Sequence, residues 1–142
     1  MEDIIKQPLI IVVDNDYPGS ELVIRFLMNQ GYQVLQFDNS DDCLKALANE
    51  YQAGHIVDCV ITKVMSPGSI DGYNLAKIIR KDEQFHNIPL IICSSLVFSD
   101  SHVQAAKVGA DFLPKPVNLD LLLFKVNMAI ELSAYRTNKK ML

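Results

Sequence analysis

Five short strand-like runs, each followed by a segment of helical periodicity, constrain this chain more than any other feature. The first, Pro8-Leu-Ile-Ile-Val-Val-Asp14, is apolar without polar alternation, the pattern of a strand buried on both faces. Asp16 and Tyr17 lead into Pro18, a residue suited to a helix's first turn, and Leu22, Phe26 and Leu27 form an apolar face that stops near Gly31. Gln33 to Phe37 reads as a second strand. Ser40 reads as the cap of the next helix, with Asp41 and Asp42 in its first turn and Cys43, Leu44, Leu47 and Ala48 as its buried stripe. Cys59 to Thr62 is a third strand, followed by a helix that Asp71-Gly72 opens and Leu75, Ile78 and Ile79 continue. Pro89 to Cys93 is a fourth strand, and a helix over 101–108 ends at Gly109. Phe112-Leu113 is a short fifth strand, and Asn118 caps a long last helix.

Strands alternating with amphipathic helices predict an α/β fold, a parallel sheet wound with helices on both faces. Such folds bind ligands beyond the carboxyl ends of the strands, where the strand order reverses. Asp14, Lys63 and Ser94 fall at those ends. The 142 residues suffice for one domain with a real core. The net charge of −4 argues against nucleic-acid binding by this domain. No basic stretch with an apolar run follows the N-terminus, and no run approaches the ~18 apolar residues of a membrane span, so a cytoplasmic protein with no membrane partner is expected. Cys43, Cys59 and Cys93 are widely spaced and odd in number, which suits buried thiols in a reducing compartment. His55, His86 and His102 are scattered and form no ligand cluster. Neither a dinucleotide-binding glycine fingerprint nor a phosphate-binding P-loop occurs, and no nucleophile–base constellation points to an enzyme.

Five ordered motifs resemble those of two-component response regulator receiver domains: Val12-Val13-Asp14-Asn15-Asp16, Thr62-Lys63-Val64, Pro67-Gly68 with Asp71-Gly72, Ile88-Pro89 through Ser94-Ser95, and Gly109-Ala-Asp-Phe112-Leu-Pro-Lys115-Pro116. The likeness covers about residues 8–130. It implies a doubly wound, five-stranded (βα)5 flavodoxin-like or CheY-like fold with strand order 2-1-3-4-5. It also implies a cis peptide at Lys115-Pro116, and a pocket over Asp14, Asn15, Asp16, Lys63, Ser94 and Lys115. Ser94 and Phe112 match the family's switch residues. Lys115 matches the lysine that pairs with phosphoryl oxygens.

The chain departs from the pattern at two positions that matter chemically. Lys63 stands where the family has its phospho-acceptor aspartate, and Asn15 replaces the second acid of the metal-binding pair. An ammonium is no nucleophile for phosphoryl transfer, and Mg²⁺ needs hard oxygen ligands. Two unit charges 4 Å apart interact by about 4 kcal/mol at an effective dielectric of 20, so a lysine at the metal position opposes the ion strongly. The resemblance with these changes predicts a pseudo-receiver with Mg²⁺ binding lost and no other cofactor. The alternative is a working acceptor that uses Asp14 or Asp16. We expect Lys63 to bridge to Asp14, with Asp16 as a possible second partner. An anion held by Lys63, Lys115 and Ser94 is a further possibility.

The last helix carries two apolar stripes. Leu119, Leu122, Leu123, Val126 and Ile130 share one face, expected on the sheet; Leu121, Phe124, Met128, Leu132 and Tyr135 share the opposite one. The second stripe is expected to meet a protein partner or a second copy of the chain. A histidine kinase or an output domain is the kind of partner the resemblance implies. Residues 1–131 are expected to form the receiver-like domain and 132–142 a helical extension, a possible linker to an output domain.

Overall fold

The computed structural model describes residues 7–16, 18–65 and 68–141, with side chains to residue 134. The elements alternate throughout: β1 (Leu9–Val13), α1 (Gly19–Asn29), β2 (Gln33–Phe37), α2 (Ser40–Gln52), β3 (Cys59–Lys63), α3 (Gly72–Lys81), β4 (Leu90–Ser94), α4 (Ser101–Lys107), β5 (Asp111–Pro114) and α5 (Leu119–Met141). The strands form one parallel sheet in the order β2-β1-β3-β4-β5. β1 therefore lies between β2 and β3, and the chain reverses its direction of travel across the sheet there. The crevice of the site opens at this reversal.

Each residue of β1, β3 and β4 is buried, as expected of strands covered on both faces. Alternation within β1 shows how the two faces divide. Leu9, Ile11 and Val13 pack with Leu47, Leu75 and Ile79 on the α2–α3 side, while Ile10 and Val12 pack with Leu27, Leu122 and Val126 on the α1–α5 side. A smaller cluster of Ile92, Ala105 and Phe112 lies under α4.

Several details differ from the sequence reading. Asn39, not Ser40, caps α2: its Oδ1 accepts the Asp42 N–H at 2.8 Å, and Ser40 is the first helical residue. The dipeptide offers two capping residues in succession, and the extended backbone falls at the asparagine. Leu22, Ala48 and Ile78 are exposed rather than core; Val23, Ala46 and Ala76 take the buried positions one or two residues away. β5 is longer than its apolar pair, because Asp111 and Pro114 extend it against Ile91 and Ser94. Asn118 does cap α5, accepting the Leu121 N–H at 3.0 Å, and α5 runs unbroken across residues 131–132. Tyr17, Pro67 and the Tyr135 side chain lie outside the described residues.

Candidate functional site: the crevice at the ends of β1, β3 and β5

Parallel register places the carboxyl ends of the strands side by side. Val13 pairs with Thr62, Lys63 with Cys93, and Cys93 with Leu113. Asp14, Lys63 and Lys115 therefore converge as the first residue after β1, the last of β3 and the first after β5. Lys115 is fixed by its own N–H, which donates to the Ser94 carbonyl at 2.8 Å, and its bond to Pro116 is cis. The end of β3 is held from the other side by α3. The Gly72 N–H donates to the Val64 carbonyl at 2.8 Å, and a Cβ at Gly72 would stand 2.1 Å from the Lys63 carbonyl oxygen.

Asp14 is 7% exposed, and both of its carboxylate oxygens are engaged. Oδ1 accepts the Asp16 N–H at 2.9 Å, and Oδ2 pairs with Lys115 Nζ at 2.6 Å. The Asp16 carboxylate stands 3.9 Å from the same ammonium, with 71% of its side chain exposed. Lys63 is buried, also 7% exposed, and its Nζ donates to the Asn15 Oδ1. The expected Lys63–Asp14 bridge is therefore not formed. Lys115 approaches Asp14 first and the backbone after β1 takes the second oxygen, so Lys63 is left with the neutral amide. Among the described residues, Lys63 pairs with no carboxylate.

Ser94 also departs from expectation. Its hydroxyl accepts the Leu96 N–H at 3.0 Å, and the residue lines a separate hollow beside Val64, Tyr73 and Phe98. Its neighbour Ser95 lines the Asp14 crevice instead. Phe112 is fully buried at the switch position, with its ring edge-on to His102, centroids 5.3 Å apart.

The crevice continues inward as a cavity of about 330 Å³ between the sheet, α1 and the start of α5. Asp14, Lys63 and Lys115 line it together with Val12, Val23, Ile61, Leu122 and Ser20. The Ser20 hydroxyl is buried without a hydrogen-bond partner, a state that typically costs about 1–3 kcal/mol. The sequence reading passed over Ser20, although it shares the i, i+3, i+7 stripe of Val23 and Leu27 and all three are buried. Cys93 lines the cavity too; burial pushes its thiol up to about 12, offset in part by Lys115. No group of three or more His, Cys, Asp or Glu side chains arranged to hold a metal occurs among the described residues.

The sequence pattern of the response regulator receiver domain matches residues 10–127. This chain is a response regulator receiver domain. It is 33% identical over 130 residues to the DNA-binding transcriptional regulator NtrC of Proteus hauseri, a match that covers 91% of this chain and 25% of that protein. The receiver domain of NtrX from Brucella abortus superposes with a TM-score of 0.75 at 27% identity, covering 86% of this chain and 98% of that one. The Francisella response regulator 1452 receiver domain gives 0.76 at 26%, covering 88% and 98%. The receiver spans between a quarter and a half of the curated relatives it matches. None of its helices, among the described residues, is long and apolar enough to cross a membrane.

Proposed function

We propose that this receiver acts in two-component signalling without phosphoryl transfer, as a pseudo-receiver that works by protein contact. The observation that carries the reading is Lys63, a buried ammonium at the end of β3 where the family has its acceptor carboxylate. The neighbouring groups support it. Asp14, the one buried carboxylate among the described residues, has both oxygens occupied, and the remaining metal-ligand position is an amide already bonded to Lys63. A divalent cation would have to displace Lys115 from Asp14 and sit beside the Lys63 ammonium. These residues do not fit Mg²⁺. In this reading the domain needs no cofactor and catalyses nothing itself.

Contact falls to α5. Leu121, Phe124, Met128 and Leu132 are 40–63% exposed along one side of the helix, opposite the buried Leu122, Val126 and Ala129. An apolar stripe of this kind calls for a neighbour. A second copy of the chain is the simplest one, since a single stripe closes on itself under twofold symmetry. Histidine kinases and output domains are the other partners that receivers serve. NtrC is named for DNA binding; in a longer regulator of that kind, nucleic-acid contact would belong to another domain, as the acidic balance here favours.

Incubation with acetyl phosphate and Mg²⁺, followed by intact-mass measurement, tests the chemistry. The expected result is no gain of a phosphoryl group. A stoichiometric gain mapped to Asp14 or Asp16 would replace this reading with a receiver that uses a non-standard acceptor.

A further inference from the structure

We propose that the cavity between α1, α5 and the sheet is a binding site for a small amphipathic carboxylate. This goes beyond the question of phosphorylation, because it concerns the apolar space behind the strand ends. Three observations point the same way. The cavity, about 330 Å³, falls at the lower end of the range for small-molecule sites, and its walls are mostly aliphatic: Val12, Val23, Ile61 and Leu122. Two polar groups on its lining lack adequate partners. Ser20 is 3% exposed and its hydroxyl has no hydrogen bond; among the described residues the Lys63 ammonium has only a neutral amide oxygen.

The charge balance selects the sign of the ligand. Of the charged groups on the cavity, Asp14, Lys63 and Lys115 are mostly shielded from water, leaving one more cation than anions. Asp16 is the remaining acid, and its largely exposed side chain is screened by water. Asp14 is neutralised by Lys115 at 2.6 Å, so the uncompensated charge is that of Lys63. A carboxylate reaching Lys63 would supply the missing counter-ion, Ser20 would supply a hydrogen bond on rotation of its side chain, and an apolar body would lie along Leu22, Val117 and Leu119. Bare phosphate would satisfy the charge and leave the aliphatic walls wet. A neutral apolar molecule would leave the ammonium unpaired.

Titration of the 142-residue chain with phenylbutyrate, read by amide chemical shifts and calorimetry, tests this directly. Phenylbutanol serves as the uncharged counterpart and acetate as the acid without a body. The expected result is saturable binding of phenylbutyrate with shifts at Ser20, Val23, Lys63 and Leu122. Lys63→Met should weaken that binding about tenfold or more and leave phenylbutanol unaffected. Ser20→Ala, a smaller change to the fold, should weaken it several-fold. Absence of shifts at about 10 mM phenylbutyrate, beyond the millimolar range of weak specific sites, would overturn the proposal. So would equal binding by the Lys63→Met chain, or acetate binding as tightly as phenylbutyrate. Failure to bind the acid would leave the loss of phosphoryl transfer untouched, and a phosphorylated Asp14 or Asp16 would leave the cavity untouched.

Discussion

Replacing the two lysines of the crevice by methionine should shift stability in opposite directions. Lys63 and Lys115 both end at the same strand edge, but among the described residues only Lys115 has a carboxylate partner. At 7% exposure, Lys63 has given up most of the hydration of its ammonium, at a cost of several kcal/mol. Its one charge-assisted hydrogen bond returns about 1.5–3 kcal/mol. Methionine keeps most of the aliphatic stem, and the exposed Asn15 can bond to water instead. Lys63→Met is therefore expected to stabilise the domain by about 1–2 kcal/mol, or about 3–6 °C in Tm for a chain of this size. Lys115→Met leaves Asp14 buried with one oxygen unpaired. Breaking a fully buried pair costs about 3–5 kcal/mol; since 19% of the Lys115 side chain is exposed, about 2–3 kcal/mol is expected. Urea unfolding followed by far-UV circular dichroism gives both values, and suits a chain without tryptophan. If Lys63→Met cost more than about 1 kcal/mol, Lys63 would be paired in solution and the charge argument would be wrong.

Three other outcomes follow from the packing. Gly72→Ala drives a Cβ to 2.1 Å from the Lys63 carbonyl oxygen, and should cost about 2–3 kcal/mol in the same assay. Burial raises the thiols of Cys43 and Cys93 to about 12 and that of Cys59 higher still. The unfolded thiols ionise first, so the stability they contribute is present below about pH 8.5 and is lost as pH rises from there toward about 12, with a slope of up to about 1.4 kcal/mol per pH unit per thiol. Alkaline urea titrations of the chain and its Cys→Ala variants measure that slope. Phe124→Ser, at a position 63% exposed, should leave stability within about 0.5 kcal/mol; if the proposed α5 dimer forms, sedimentation velocity should show the wild-type chain as a dimer and the variant as a monomer.

The sheet was legible because its strands are covered on both faces: Leu9–Val13 and Leu90–Ser94 carry no polar alternation to confuse them with half-exposed strands. Apolar stripes located the helices, yet not which apolar residue turned inward; Leu22 and Val23 are adjacent and only one is core. Convergence of Asp14 and Lys63 followed from their places at strand ends, and that of Lys115 from the receiver resemblance. Their pairing did not, since it depends on which ammonium reaches Asp14 and on where the backbone after β1 sends the Asp16 N–H. Ser94 and Ser95 are chemically identical in sequence, and only the turn after β4 decides which faces the crevice. Ser20 was missed because a serine inside an apolar stripe resembles a tolerated polar substitution until the cavity beside it is seen.

In the proposed reading, Lys63 and Lys115 set the charge balance of a pocket that is acidic in the family. A crystal structure grown with Mg²⁺ and beryllofluoride, a mimic of the phosphoryl group, tests it most directly. The expected result is no metal or fluoride density in the crevice, with Lys63 on Asn15 and Lys115 on Asp14. Beryllofluoride bound to Asp14 or Asp16 with Mg²⁺ beside it would overturn the pseudo-receiver reading and restore phosphorylation as the input.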